Sequence, residues 1–86
     1  MSVIWHDKAQ KQLVDWIKTD RKTALRIYSL VFDIQRSGPM AGMGKPEPLR
    51  YCKSYSRRID EKNRLVYSMN EQGVLEILAC KGHYED

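Results

Sequence analysis

The hydrophobic period of this chain changes once, and a glycine- and proline-rich segment separates the two regimes. From Asp7 to Ser37 apolar residues recur at helical spacing, and from Tyr55 onward they alternate. Residues 38–48, GPMAGMGKPEP, lie between and hold three of the five glycines and all three prolines. Two helices followed by a run of strands, rather than strands and helices in alternation, restrict the chain to an α+β architecture with an antiparallel meander. At 86 residues there is material for one core, so residues 1–86 form a single domain.

Within the first regime, Ser2 to Trp5 is β-prone, and Asp7 is placed to cap a helix, with Gln10 as the reciprocal half of a capping box. Ala9, Leu13, Trp16 and Ile17 form one apolar stripe. Thr19 and Asp20 break it and cap a second helix, whose stripe of Ala24, Ile27, Val31 and Ile34 is widened by Leu25, Tyr28 and Phe32. This second helix is expected to be the more buried. Ser37, Gly38 and Pro39 end it, and the segment that follows reads as a stiff connection crossing the domain. In the second regime Tyr55, Arg57 and Ile59 face one way and Ser56 and Arg58 the other. Asp60 to Asn63 turns the chain. Leu65, Tyr67 and Met69 then oppose Arg64, Val66 and Ser68, Asn70 to Gly73 turns again, and Val74 to Lys81 is the most apolar strand. The expected architecture is β-α-α and then a meander of about three strands, with both helices on one sheet face and the arginines on the other.

The formal charge is concentrated. Lys45 to Tyr67 carries seven basic residues against three acidic ones, an excess of four, which is the whole net charge of the chain. Such a field attracts polyanions through phosphate contacts and counterion release, so nucleic acid is the first partner to consider. Cys52 and Cys80 stand far apart with neither a CxxC motif nor paired histidines, so zinc-finger spacing is absent, no metal or cofactor is expected, and both cysteines read as small buried or half-buried side chains. No GxxxxGK[ST] accompanies the glycines of the connection, which argues against a nucleotide-binding loop. No apolar run approaches the roughly 18 to 20 residues that cross a bilayer. The first residues lead into a polar helix rather than a signal-peptide core, so a cytoplasmic location is expected.

Three residue types near the basic stretch can carry chemistry together. Glu47 is clamped between Pro46 and Pro48, which fixes the backbone on both sides of one carboxylate and suits a general base. Arg57, Arg58 and Arg64 offer planar forks for phosphate oxygens, although alternation prevents Arg57 and Arg58 from facing one ligand; one of the two positions RNA or supports the sheet. His83, bracketed by Lys81 and Tyr84, titrates near neutrality and can protonate a leaving oxygen, and Tyr84 offers a ring for a base to stack on. Carboxylate, guanidinium and imidazole without metal ligands fit in-line attack of an RNA 2′-hydroxyl on the adjacent phosphate, giving a cyclic phosphate and a 5′-hydroxyl. DNA lacks that nucleophile. The competing reading is a non-catalytic basic module that binds RNA or a partner chain. A repressor acting alone is disfavoured because neither helix is basic and amphipathic in the manner of a groove reader.

VIW at Val3 to Trp5, GKPEPL at Gly44 to Leu49, SRRI at Ser56 to Ile59, RLVY at Arg64 to Tyr67 and HY at His83 and Tyr84 occur in an order that resembles the YoeB/Txe toxins of the RelE superfamily. The resemblance spans nearly the whole chain. It implies a RelE-like fold and a ribosome-dependent endoribonuclease that cuts messenger RNA in the ribosomal A site and inhibits translation. It also implies a YefM/Axe-like antitoxin that covers the active site, homodimerisation, and operator DNA binding only as the antitoxin complex. By motif, Glu47 is implied as general base, Arg64 as transition-state stabiliser and His83 as general acid. Tyr84 is implied as part of the substrate platform, and Lys45, Arg50, Arg57 and Lys81 as supporting cations. The chain departs from the family pattern in a shorter Tyr51 to Tyr55 segment, in Tyr55 where tryptophan is common, and in the Glu85 and Asp86 that follow the terminal HY.

Overall fold

A computed structural model describes residues 2–50 and 53–82. The elements run β1 (Val3–Trp5), α1 (Asp7–Thr19), α2 (Arg21–Ser37), β2 (Glu47–Pro48), β3 (Tyr55–Arg58), β4 (Arg64–Met69) and β5 (Leu75–Ala79). They build one five-stranded sheet in the order β1-β5-β4-β3-β2. β1 lies parallel to β5 and the other pairings are antiparallel. The helices cover one face, where Ala9 and Leu13 of α1 and Ala24, Ile27, Leu30 and Ile34 of α2 meet Leu65, Tyr67, Leu75 and Ile77 of the sheet. The expected α+β layout is what forms, with more pairing than the meander alone provides.

Helix ends follow local chemistry with one correction. Asp20 caps α2, its carboxylate accepting from the Thr23 backbone N–H at 3.3 Å and from the Thr23 hydroxyl at 2.8 Å. Asp7 does not cap α1. His6 occupies the cap without a side-chain capping bond, and Asp7 is the first helical residue, where its charge complements the helix dipole. α2 closes at Gly38, whose φ of 91° is left-handed and whose N–H bonds to the Ile34 carbonyl at 2.8 Å.

The buried face of α2 is narrower than its apolar composition. Ile27, Leu30 and Ile34 are at most 1% exposed, whereas Leu25 and Phe32 are each 66% exposed. Each of the latter stands two residues before a buried isoleucine, about 200° around the helix, so it points away from the sheet. Tyr28, at the margin, sets its ring edge-on to Trp5 with centroids 6.1 Å apart. The buried positions Ile77 and Cys80 are three apart, which strict alternation would put on opposite faces. A register shift against Val66 and Tyr67 inserts one residue into β5 and lets both face the helices.

The connection is not all loop. Glu47 and Pro48 pair with Ser56 and Tyr55 as an edge strand, a position where proline's missing N–H is tolerated. No helix among the described residues is long and apolar enough to cross a membrane.

Candidate active site

Strand register decides which side chains meet on the face away from the helices. Arg57 bonds to Asp33 of α2, so its parity on β3, shared with Tyr55, is the helix side. Ser56 and Arg58 therefore project to the side away from the helices, where Arg58 is exposed and Ser56 is buried. Glu47 is the partner of Ser56, Ser56 of Val66, and Arg58 of Arg64, so Glu47, Arg58 and Arg64 share that side. Glu47 and Arg64 are two strands and two residues apart, about 12 Å between α-carbons by strand geometry.

Arg58 and Arg64 face each other directly across β3 and β4. Like charges at such a pair are unfavourable, and an anion between them would offset the repulsion. The Arg64 guanidinium is already anchored on one edge, its NH1 donating to the carbonyls of Asp60 at 2.8 Å and Asn63 at 3.1 Å. Its backbone N–H donates to the Gly82 carbonyl at 3.0 Å. This ties the residue that precedes His83 in the chain to the strand that carries the arginine. His83 and Tyr84 themselves, with Cys52, the Tyr51 end of the shortened segment and the Glu85 and Asp86 tail, lie outside the described residues.

Of the two roles expected for one of the paired arginines, Arg57 takes the supporting one, because its side chain is fully buried. All five guanidinium N–H donors are used internally. Nε donates to the Tyr67 hydroxyl at 3.0 Å, NH1 to Asp33 Oδ2 at 2.7 Å and the Met43 carbonyl at 2.9 Å, and NH2 to the carbonyls of Gly38, at 2.9 Å, and Ala41. The Tyr67 hydroxyl donates in turn to the Pro39 carbonyl. Burial pushes the Tyr67 phenol above its usual value despite the nearby guanidinium, so the hydroxyl keeps its proton at neutral pH. Asp33 also accepts from the Met43 N–H at 2.8 Å and from Arg36 at 3.1 Å. The Met43 amide first, then Arg57 and Arg36, lower the Asp33 carboxyl to about 2. The network staples the connection to sheet and helix just before it delivers Glu47. It supports the site from behind.

The other expected cations divide. Lys45 is exposed between Gly44 and Pro46 with φ of 52°, a left-handed conformation uncommon for a lysine. Arg50 is exposed beside the undescribed residues 51–52. Lys81 turns to α1, where its Nζ meets Asp15 Oδ2 at 2.7 Å and lies 5.2 Å from the centroid of Trp16. Its bond and charge hold the Asp15 carboxyl below the usual range. Cys80 is buried as expected, and burial pushes its thiol up to about 11. The sequence reading left Arg58 out of the supporting cations; its alternation put Arg57 and Arg58 on opposite sides, and the structure shows that Arg57 is the inward one, against the expectation that the arginines share the face away from the helices.

Known proteins resemble this chain along its length. Toxin YoeB of Escherichia coli K12 is 40% identical over 86 residues, covering 98% of this chain and all of that protein. YoeB in a heterotetrameric YoeB-YefM toxin-antitoxin complex from Staphylococcus aureus superposes with a TM-score of 0.89 at 32% identity, over 98% of each chain. A YoeB dimer from the same organism gives 0.90 at 32% identity and the same coverage. The sheet and helices described above are thus the RelE/YoeB-like fold. Residues 5–84 match the family described as the YoeB-like toxins of bacterial type II toxin-antitoxin systems, and the chain belongs to that family.

Proposed function

We propose that this chain is a ribosome-dependent endoribonuclease that cuts messenger RNA in the A site and so arrests translation in the cytoplasm. The observation that carries this reading is that Glu47, Arg58 and Arg64 share the sheet face away from the helices, with Gly82 hydrogen bonded to Arg64. In the proposed reaction Glu47 accepts the 2′-hydroxyl proton as the oxygen attacks phosphorus, and Arg64, with Arg58 beside it, stabilises charge on the non-bridging oxygens. His83 protonates the departing 5′-oxygen. The products are a 2′,3′-cyclic phosphate and a 5′-hydroxyl, with no metal in the chemistry. Tyr84 stacks on a base, and Lys45 and Arg50 hold flanking phosphates. Lys81, committed to Asp15, contributes charge at a distance.

A YefM-like antitoxin is the natural partner, since a relative's structure is a YoeB-YefM complex. Operator DNA binding belongs to that complex, and a dimeric toxin is supported by the relative solved as one. The test is a translation reaction read by primer extension. Wild type should cut messages on translating ribosomes and spare a message carrying a 2′-deoxy residue at the cut. Glu47→Gln and His83→Ala should each slow cleavage by about 10²–10⁴-fold, and Arg64→Ala by about 10²–10³-fold. Intact messages with wild-type protein would leave a basic binding module as the better reading.

A further inference from the structure

Asp33 and Arg57 are the two buried charges among the described residues, and no step of the proposed reaction uses either. Both turn to the connection. Asp33 Oδ2 accepts from the Met43 N–H at 2.8 Å and from Arg57 NH1 at 2.7 Å, and the same NH1 donates to the Met43 carbonyl at 2.9 Å. The ion pair thus grips both main-chain polar groups of Met43, one from α2 and one from β3. Glu47 follows four residues later, and the backbone between has little to hold itself with. Pro46 and Pro48 have no N–H, so Lys45 and Glu47 are the only main-chain donors of residues 45–48. β2 is two residues long, lies at the sheet edge, and is tied at its ends by the Arg58 N–H on the Gly44 carbonyl at 2.6 Å and the Leu49 N–H on the Ser54 carbonyl at 2.9 Å. A strand this short takes its place from the segment that feeds it. The Arg64 guanidinium, by comparison, is anchored on carbonyls of the β3–β4 turn, which share no bond with Asp33.

We propose that Asp33 is a positioning residue for the cleavage reaction, fixing Met43 from the helix side so that the next few residues carry the Glu47 carboxylate to its working place on the opposite sheet face. The inference rests on the endoribonuclease reading above, in which Glu47 is the base. Asp33 lies behind the sheet and touches no substrate. Its loss leaves the Met43 N–H unpaired and Arg57 without its counter-charge, which frees the connection to lift from α2. An error of about 1 Å in the placement of a reacting group costs on the order of 10²-fold in rate.

The test is a double-mutant cycle on cleavage of one message by translating ribosomes, with rates taken per native enzyme as judged by circular dichroism. In the otherwise wild-type chain Asp33→Ala should lower kcat at least about tenfold with KM little changed, because a misplaced base weakens the chemical step and not binding. In a Glu47→Gln background the same substitution should cost little more, since the group it positions is already gone. In an Arg64→Ala background it should keep its full fold-loss. Asp33→Asn, whose side-chain oxygen can still accept from Met43 and Arg57, should fall between wild type and Asp33→Ala, and it runs the same cycle if the alanine form does not fold. Equal fold-losses in all three backgrounds, a loss that disappears with Arg64→Ala instead, or no loss in the wild-type chain overturn the role of Asp33 while leaving Glu47 as the base. A Glu47→Gln enzyme as fast as wild type overturns Glu47 as the base, and the positioning role with it.

Discussion

Adjacent arginines on one strand have opposite fates here, and parity alone separates them. Arg57 shares its side of β3 with Tyr55 and meets the helix layer, while Arg58 shares its side with Ser56 and meets solvent. A guanidinium cannot lose its proton to suit burial, so Arg57 is tolerated inside only because five acceptors surround it. Tyr67 extends this network, accepting from Arg57 Nε and donating to the Pro39 carbonyl. Tyr67→Phe keeps the ring that stacks on Tyr55 and removes only the hydroxyl, leaving one buried donor and one acceptor short of partners. It should cost about 1–3 kcal/mol, read as a lower urea midpoint with an unchanged m-value. A midpoint equal to wild type would mean that the network closes without the phenol.

At the scale of elements, the sequence was most legible where one face decides the pattern. Both helices, the break at Asp20 and the two turns of the meander stand where periodicity and turn residues put them. What periodicity lacks is the direction of a wide apolar face, so Leu25 and Phe32 were read inward although α2 turns them to solvent. The two-residue strand β2 was illegible for another reason. Its only signal is pairing with β3, which is long-range, and its prolines argue locally for a loop. Glu47 was found as a clamped carboxylate, but its neighbours on the open face followed only from register. The connection shows how close the packing behind that face is. A Cβ on Gly42 would stand 1.9 Å from Asp33 Oδ2, and the φ of 103° there is left-handed. Gly73 is also left-handed, at 78°, with nothing within 4 Å. Gly73→Ala should therefore cost about 1–2 kcal/mol from backbone strain alone. Gly42→Ala should cost about 1–3 kcal/mol beyond that because it must displace the Asp33 staple. Denaturant unfolding of the pair separates strain from packing, and equal losses would show that the staple yields freely.

Across the whole molecule, every carboxyl with a resolved shift among the described residues is held below its ordinary value. The causes are local and differ. Asp33 is lowered to about 2, chiefly by the Met43 amide. Glu76 is lowered by its bond to His6, Asp15 by Lys81 and Asp20 by Thr23, while Asp60 is lowered because bonds from Asn63 and Lys62 outweigh its burial. A carboxyl whose pKa is lower folded than unfolded binds its proton more readily in the unfolded chain. Its contribution is then complete above the unfolded value, near 3.8 for aspartate, and disappears as pH falls through the folded value. Stability should therefore hold steady from neutrality to about pH 5 and then decline down to about pH 2, with Asp33 setting the lower end. Asp33→Asn should be less stable than wild type at pH 7, because Arg57 loses its counter-charge, and the gap should narrow on acidification as the wild-type carboxyl takes up its proton. Urea midpoints at intervals between pH 7 and pH 2 measure both trends. A gap between wild type and Asp33→Asn that stays constant across that range would show that the buried guanidinium is satisfied by the loop carbonyls alone, and that the ion pair behind the open face adds nothing to the hold on the segment that delivers Glu47.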